Sequence, residues 1–204
     1  MKKNLLIIGA GGHGRVIADI ASRIGCYETI GFLDDCPSVR PLPHPYLGVC
    51  SDARLYAKEY DVIVAIGNAA VRARIMDSLC DIGVTYATLI APEAVVSQDV
   101  VLGSGTVVMP GAIINTGARI GKGVIINTAS SVDHDCFVGD FCHVSVGAHL
   151  CGEAILGDRV WIGAGATVIN CIDICADCMI GAGAVVIRDI TEVGTYIGVP
   201  AKKV

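Results

Sequence analysis

Every sixth residue between positions 94 and 190 is apolar or small, in two unbroken registers. The first register runs from Val96 to Val186 and contains only Val, Ile and Leu. The second runs from Ala94 to Ile190 and is almost entirely small or β-branched. A period of six fits neither an α-helix nor an alternating strand. It is typical of a parallel β-helix built from hexapeptide repeats.

Three six-residue repeats make one triangular coil, so equivalent side chains should stack at steps of three repeats, over about five coils. Both registers are expected to point into the prism, with the small residue nearer a corner. Cys136, Cys142 and Cys178 fall in the small register and are therefore predicted to be core residues rather than metal ligands. With no export signal recognised, the ten cysteines are expected to be thiols in a cytoplasmic protein.

The first part of the chain alternates predicted strands and helices, which indicates a Rossmann-like parallel sheet with ligands at the carboxyl ends of its strands. We therefore predict an α/β domain over residues 1–90 and a β-helix domain with a C-terminal tail over 91–204. The predicted strands lie at 4–9, 29–33, 61–66 and about 84–89, and the predicted helices lie after the glycine loop as far as Gly25, at about 51–59 and at about 69–82.

The glycine loop between the first strand and the first helix matches G-x-G-x-x-G at Gly9, Gly11 and Gly14, with Asp34 placed like a ribose-binding acid. Three interpretations are open: a redox dinucleotide site, another nucleotide-type ligand, or a tight turn alone. The unit is short for a full dinucleotide fold, and nothing downstream resembles hydride-transfer chemistry. Backbone N–H groups at a helix N-terminus favour a phosphate-bearing ligand.

Three of the five histidines lie off the inward registers, at His134, His143 and His149. His134 stands between Asp133 and Asp135, which suits a general base but equally suits a surface histidine between solvated acids. His143 follows nine residues later, half a coil away. One prism should therefore hold the two side chains apart, and a site using both would lie between subunits of a cyclic homotrimer.

Several segments together resemble the bacterial sugar acetyltransferases of the NeuD/PglD type, and the resemblance follows nearly the whole chain in order. It implies a left-handed β-helix, a trimer and transfer from acetyl-CoA. The segments that carry it are the glycine loop 9–14, Asp34-Asp35, 65–68, 131–136, 143–148 and 198–202. The implied acceptor is the 4-amino group of a nucleotide-linked 4-amino-4,6-dideoxy sugar, favoured over the alternative, a hydroxyl of sialic acid or another sugar.

The resemblance also implies roles for individual residues. His134 would be the general base of a direct transfer, and Asp135 would raise its basicity, although a glutamate is common at that place in the family. Acetyl-CoA would be bound by His143, Gly152, Ala164 and Ala182. The nucleotide-sugar would be bound in the N-terminal domain by Gly11, Gly12, His13, Asp34, Asp35 and Gly67.

Two other functions are compatible with a β-helix. A metalloenzyme of the γ-carbonic anhydrase kind would need three histidine ligands, but the spacing of His143 and His149 is one residue longer than in that family. A scaffold or sugar-nucleotide sensor would leave the His134–Asp135 pair unused. No metal is expected. The net charge of −5 argues against a nucleic-acid partner, and no apolar run is long enough to predict a membrane span.

Overall fold

The computed structural model describes residues 3–36 and 41–204. The chain divides into two compact units, Met1–Pro92 and Glu93–Val204, a division two residues beyond the predicted domain boundary. The first unit contains β1 (Lys3–Ile8), α1 (Gly12–Ile24), β2 (Tyr27–Leu33), β3 (Tyr46–Gly48), α2 (Ala53–Tyr56), β4 (Tyr60–Val64), α3 (Ala69–Ser78) and β5 (Leu89–Ile90).

The sheet of this first unit is parallel and has the strand order β3-β2-β1-β4. The central strand β1 is buried from Leu5 to Ile8, as expected for a parallel strand covered on both faces. Helix α1 ends where Gly25 adopts the left-handed conformation and donates its N–H to the carbonyl of Ala21. The predicted α/β unit is therefore confirmed, with its glycine loop at the carboxyl end of β1.

Two local predictions in this unit were wrong, and one strand was missed. The helix expected over about 51–59 is only α2, preceded by a short 3-10 turn, because the chain must become extended at Tyr60 to pair with β1. The strand expected over about 84–89 is a single isolated bridge between Tyr86 and Val62, and regular strand structure begins only at Leu89, in β5. Strand β3 was not predicted at all. It is three residues long and exists because β2 offers an edge for pairing.

The second unit is a left-handed parallel β-helix with three faces. The first face contains β6 (Val95–Val96), β9 (Ile113–Ile114), β12 (Ser131–Val132), β15 (His149–Leu150), β18 (Thr167–Val168) and β21 (Val185–Val186). The second face contains β7 (Val101–Leu102), β10 (Arg119–Ile120), β13 (Phe137–Val138), β16 (Ile155–Leu156) and β19 (Asp173–Ile174).

The third face completes each coil. It contains β8 (Val107–Val108), β11 (Ile125–Ile126), β14 (His143–Val144), β17 (Trp161–Ile162), β20 (Met179–Ile180), β22 (Thr195–Ile197) and the antiparallel β23 (Lys202–Lys203). From β6 to β18, each strand pairs with the strand 18 residues later, as Ser131 does with His149 and His143 with Trp161, whereas in the last coil Met179 pairs with Thr195. Both six-residue registers form the core from Val108 onward, which confirms the predicted inward positions.

The corners of the prism depend on residues with positive φ, three positions after each aliphatic core residue. Glycine occupies many of these positions, but Asp135 and Glu153 adopt φ values of 58° and 62°. A non-glycine residue there costs about 1–2 kcal/mol, which the surrounding coils must offset. The glycines directly after the aliphatic residues serve another purpose, since a Cβ on Gly157 would lie 2.5 Å from the backbone nitrogen of Ala176 in the next coil.

We expect Leu156→Ala to lower the free energy of unfolding by about 2–5 kcal/mol, because Leu156 is fully buried in the prism and its removal leaves a cavity. Urea unfolding at a fixed protein concentration measures the loss. The matched control is Thr167→Ala, which truncates a partly exposed side chain that points outward from the same coil, and which should change the value by less than about 0.5 kcal/mol. Equal losses for both variants would contradict the assigned inward register.

Candidate active site

His134 lies in the corner between β12 on the first face and β13 on the second, with its side chain exposed. Its Nδ1 atom is 2.9 Å from Oδ2 of Asp135. A carboxylate can only accept a hydrogen bond, so Nδ1 carries a proton in either charge state of the ring. When the ring is neutral, the corner presents the lone pair of Nε2 as a base.

The two acids beside His134 have different tasks. Oδ1 of Asp133 accepts hydrogen bonds from the Asn115 side chain at 2.7 Å and from the backbone N–H of His134 at 2.8 Å, and these bonds lower the pKa of Asp133. Asp133 thus holds the turn, whereas Asp135 contacts the ring. The hydrogen bond that the His134 ring donates to Asp135 raises the pKa of His134, with smaller contributions from the negative charges of Asp133 and Glu153.

Gly152 lies one coil above His134 and is buried. A Cβ atom on Gly152 would overlap the His134 ring, with Nε2 as the nearest atom. The basic edge of the imidazole therefore faces the backbone of residue 152. The N–H of Gly152 donates no hydrogen bond to any residue within 3–36 or 41–204, so the residue that faces Nε2 carries an unused backbone donor.

His143 begins β14 on the third face, on the far side of the second face from His134. Its ring stacks on Trp161 with centroids 5.1 Å apart and planes inclined by 25°. Nε2 lies 3.0 Å from Nδ2 of Asn127, whose own Oδ1 accepts the N–H of Thr128. Asn127 must therefore donate to His143, which makes Nε2 an acceptor and fixes the neutral tautomer.

Sequence reasoning missed the side chains that hold His143 in place. Trp161 Nε1 donates to Ser145 Oγ at 2.8 Å, so the indole is hydrogen-bonded as well as stacked. The 18-residue spacing between His143 and Trp161 could have revealed their contact, because both occupy the outward position of paired strands. Asn127 is 16 residues before His143, and its contribution depends on a side-chain rotamer that a repeat does not specify.

Ala164 and Ala182 are exposed in the corner between the third and first faces, one coil apart, and the N–H of Gly183 bonds the carbonyl of Ala164. In the described part of the chain, neither alanine N–H donates a hydrogen bond. Within a single chain, Gly152 therefore lies next to His134, whereas His143, Ala164 and Ala182 lie along a different face.

The six residues predicted to bind the nucleotide-sugar line one cavity of about 540 Å³ in the first unit. Arg74 lines the same cavity and was not predicted. A further cavity of about 470 Å³ lies at the last coil of the β-helix and includes Arg188, Tyr196 and Lys202 in its lining. None of the predicted site residues lines that second cavity.

Polar contacts shape the cavity of the first unit. Asp34 accepts the N–H of Ala10 through Oδ2 at 2.6 Å and that of Cys36 through Oδ1 at 2.8 Å, so it ties the glycine loop to the end of β2. Asp35 accepts the N–H of Cys50 at 2.9 Å. The buried guanidinium of Arg72 donates to the carbonyls of residues 66 and 67, at 2.7 Å and 3.0 Å, and so positions Gly67.

His13 lies at the start of α1 with its Nε2 atom buried and without a hydrogen-bond partner among the described residues. Burial and the positive charge of Arg72 lower the pKa of His13 to about 4, so the ring is neutral near pH 7. Gly14 packs where a Cβ would overlap the carbonyl oxygen of Gly9. The helix N-terminus can therefore approach a ligand closely with its free N–H groups.

The histidines do not converge within the chain. His149 lies on the first face and bonds Ser131 Oγ through Nδ1 at 2.8 Å, whereas His143 lies on the third face. Across residues 3–36 and 41–204, no three His, Cys, Asp or Glu side chains are grouped as they would be to hold a metal ion. In the same residues, no helix has the length and apolar character needed to cross a bilayer.

Comparison with known proteins gives two family matches. The PglD N-terminal domain matches residues 4–79, and the bacterial transferase hexapeptide (six repeats) matches residues 153–188. UDP-N-acetylbacillosamine N-acetyltransferase of Bacillus subtilis (strain 168) is 36% identical over 107 residues, which are 50% of this chain and 50% of that protein. The match thus spans about half the length of this curated relative.

Two solved structures are similar over the whole chain. The acetyltransferase domain of PglB from Neisseria gonorrhoeae FA1090 is 38% identical, with a TM-score of 0.95 and coverage of 99% of this chain and 100% of that one. A variant of perosamine N-acetyltransferase from Caulobacter crescentus, in complex with CoA and GDP-perosamine, is 36% identical, with a TM-score of 0.93 and coverage of 100% and 97%. The chain belongs to the PglD-type family of hexapeptide-repeat sugar acetyltransferases.

Asp135→Asn should lower the pKa of His134 toward its ordinary value of 6.5, because the imidazolium loses its charged hydrogen-bond partner. The NMR pH titration of the His134 ring proton measures the shift, with His134→Gln used to assign the resonance. Asp133→Asn is the matched control, and it should lower the pKa by less because Asp133 does not contact the ring. Equal shifts in the two variants would contradict the assignment of Asp135 as the partner.

Proposed function

We propose that the protein is an acetyl-CoA-dependent N-acetyltransferase acting on the 4-amino group of a nucleotide-linked 4-amino-4,6-dideoxy sugar. The observation that carries the proposal is the Asp135–His134 pair, whose free Nε2 faces Gly152, the residue with the unused backbone N–H. The relatives' names, which include N-acetyltransferases of amino sugars, support this acceptor class. Because acetyl-CoA is a cytoplasmic metabolite, we place the reaction in the cytoplasm.

The proposed reaction is a direct transfer. The acceptor nitrogen attacks the thioester carbonyl carbon, and His134 Nε2 takes the proton that the nitrogen loses. The carbonyl oxygen becomes an oxyanion, for which the Gly152 N–H is the candidate donor. The carbon–sulfur bond then breaks, the amide remains on the sugar, and the imidazolium protonates the CoA thiolate. Asp135 stabilises the imidazolium between these two proton transfers.

The cavity of the first unit suits the nucleotide part of the acceptor. The N–H groups at the start of α1 are donors for a diphosphate, and Arg74 adds a positive charge to a lining that also holds Asp34 and Asp35. His13 lines the same cavity and is neutral near pH 7, so it adds no charge to the lining. The lining therefore supports a nucleotide-sugar ligand and requires no redox chemistry.

We further propose a homotrimer with shared sites. His134 lies in the corner before the second face, and His143 lies just after that face. The outward column of the second face exposes Val101, Phe137 and Ile155 together with Arg119 and Asp173. Its exposed apolar side chains support an interface on this face. If three second faces meet around a threefold axis, the corner before one face lies next to the corner after its neighbour's. His134 of each subunit then meets His143 of the next.

A thiol-release assay with acetyl-CoA tests the proposed activity. The acceptors are UDP-, dTDP- and GDP-linked 4-amino sugars, with sialic acid as the O-acetylation alternative. We expect release with a 4-amino sugar, and we expect His134→Ala to lower kcat by about 10²–10⁴-fold. Wild-type activity should rise with pH through the raised pKa of His134, because the base must be deprotonated to act.

The control for this variant is His149→Ala, which removes an exposed histidine from the first face and should leave turnover close to that of the wild type. Circular dichroism shows whether both variants are folded. Turnover of His134→Ala equal to that of the wild type, or release only with sialic acid, would contradict the proposal as stated.

A further inference from the structure

The residues assigned to acetyl-CoA under the proposed function lie on both sides of the third face. His143 opens the face, and Ala164 and Ala182 lie in the corner that closes it. The outward column that continues from His143 consists of Trp161 and then Met179 in successive paired strands. We propose, resting on the assigned acetyl-CoA reaction, that Trp161 is a further acetyl-CoA-binding residue and forms one wall of a groove for the pantetheine arm.

The Trp161 wall is rigid. The indole stacks on His143 at 5.1 Å and donates from Nε1 to Ser145 Oγ at 2.8 Å, so neither of its χ angles is free to change. Trp161 is half-buried and Met179 is exposed, so an apolar edge reaches the surface. A pre-ordered aromatic side chain gives contact area to a ligand at a small cost in conformational entropy.

The floor beside Trp161 is backbone. Two residues after Trp161 and Met179 stand Gly163 and Gly181, which pack against the next coil, since a Cβ on Gly163 would meet the backbone of Ala182 and one on Gly181 would meet Ile197. The far rim follows directly at Ala164 and Ala182, where no residue described in the structure accepts either N–H. A wall of Trp and Met, a bare floor and a rim of free amide donors thus run side by side along the prism axis.

This combination fits one chemical class of ligand, an extended chain that alternates methylene groups with amides. The methylenes pack against the indole and the thioether of Met179. The amide carbonyls accept hydrogen bonds from the backbone donors on the rim. The pantetheine arm of acetyl-CoA has this structure, whereas a sugar or a nucleobase does not. The groove would therefore recognise the cofactor rather than the acceptor.

The sequence contains a single tryptophan, so the intrinsic emission of the protein reports on Trp161 directly. Titration of the wild type with acetyl-CoA should change this emission with the same Kd that calorimetry gives. Trp161→Ala should raise the KM for acetyl-CoA about tenfold, which corresponds to about 1.4 kcal/mol of lost contact, while kcat and the KM for the acceptor change less than about twofold. Trp161→Phe keeps an aromatic wall and should stay within about threefold of the wild type.

Thr167→Ala is the matched control, because Thr167 points outward from the same coil on a different face and should leave every constant unchanged. If acetyl-CoA binds and turns over while the emission of the wild type does not change on titration and Trp161→Ala keeps the wild-type KM, the groove is wrong and the proposed function stands. If calorimetry detects no acetyl-CoA binding, both are wrong. If Trp161→Ala does not fold, the wild-type emission titration and the KM of Trp161→Phe for acetyl-CoA test the groove in its place.

Discussion

The hydrogen bonding of each coil to the next, in a fixed 18-residue register, is the constraint on which the candidate site depends. The N–H of His143 bonds the carbonyl of Val160, and the N–H of Glu153 bonds the carbonyl of His134. Because the backbones are locked in this register, outward side chains form columns, and any two residues 18 apart are neighbours. The contacts of His134 with Gly152 and of His143 with Trp161 both follow from this register.

The same register makes chemistry possible on a prism that has no interior cleft. The turn that carries His134 requires a residue with positive φ at position 135, and an aspartate takes that conformation with φ of 58°. The strained position thus places the carboxylate beside the imidazole. Gly152 keeps the space beside Nε2 open, where any side chain would displace the ring. The N–H of Gly152, in the corner after the first face, and the N–H of Ala164, in the corner after the third face, donate to no residue that the structure describes.

The six-residue period was sufficient to predict the β-helix, because every step requires an inward side chain that is apolar or, like Thr106 and Ser130, small and hydrogen-bonded to the backbone. The glycine loop and Asp34 were predicted by the same kind of local rule, and the structure brings them to one cavity. The other features of the site and of the first unit depend on contacts that leave no signal in the local sequence. Asp133 and Asp135 look equivalent beside His134 in the sequence, but Asp133 accepts hydrogen bonds from Asn115 and the backbone of His134, whereas Asp135 contacts the ring. Strand β3 and the burial of His13 depend on tertiary pairing and packing.

The central claim is that His134 and His143 act together only across a subunit boundary. Subunits of His134→Ala and His143→Ala, given different tags and co-expressed, can be purified as mixed trimers and assayed for thiol release at low acetyl-CoA concentration. Every mixed cyclic trimer then contains one intact site out of three, so activity should return to about one third of the wild-type value, although each parent variant is impaired. Mixed trimers no more active than their parents would contradict the account.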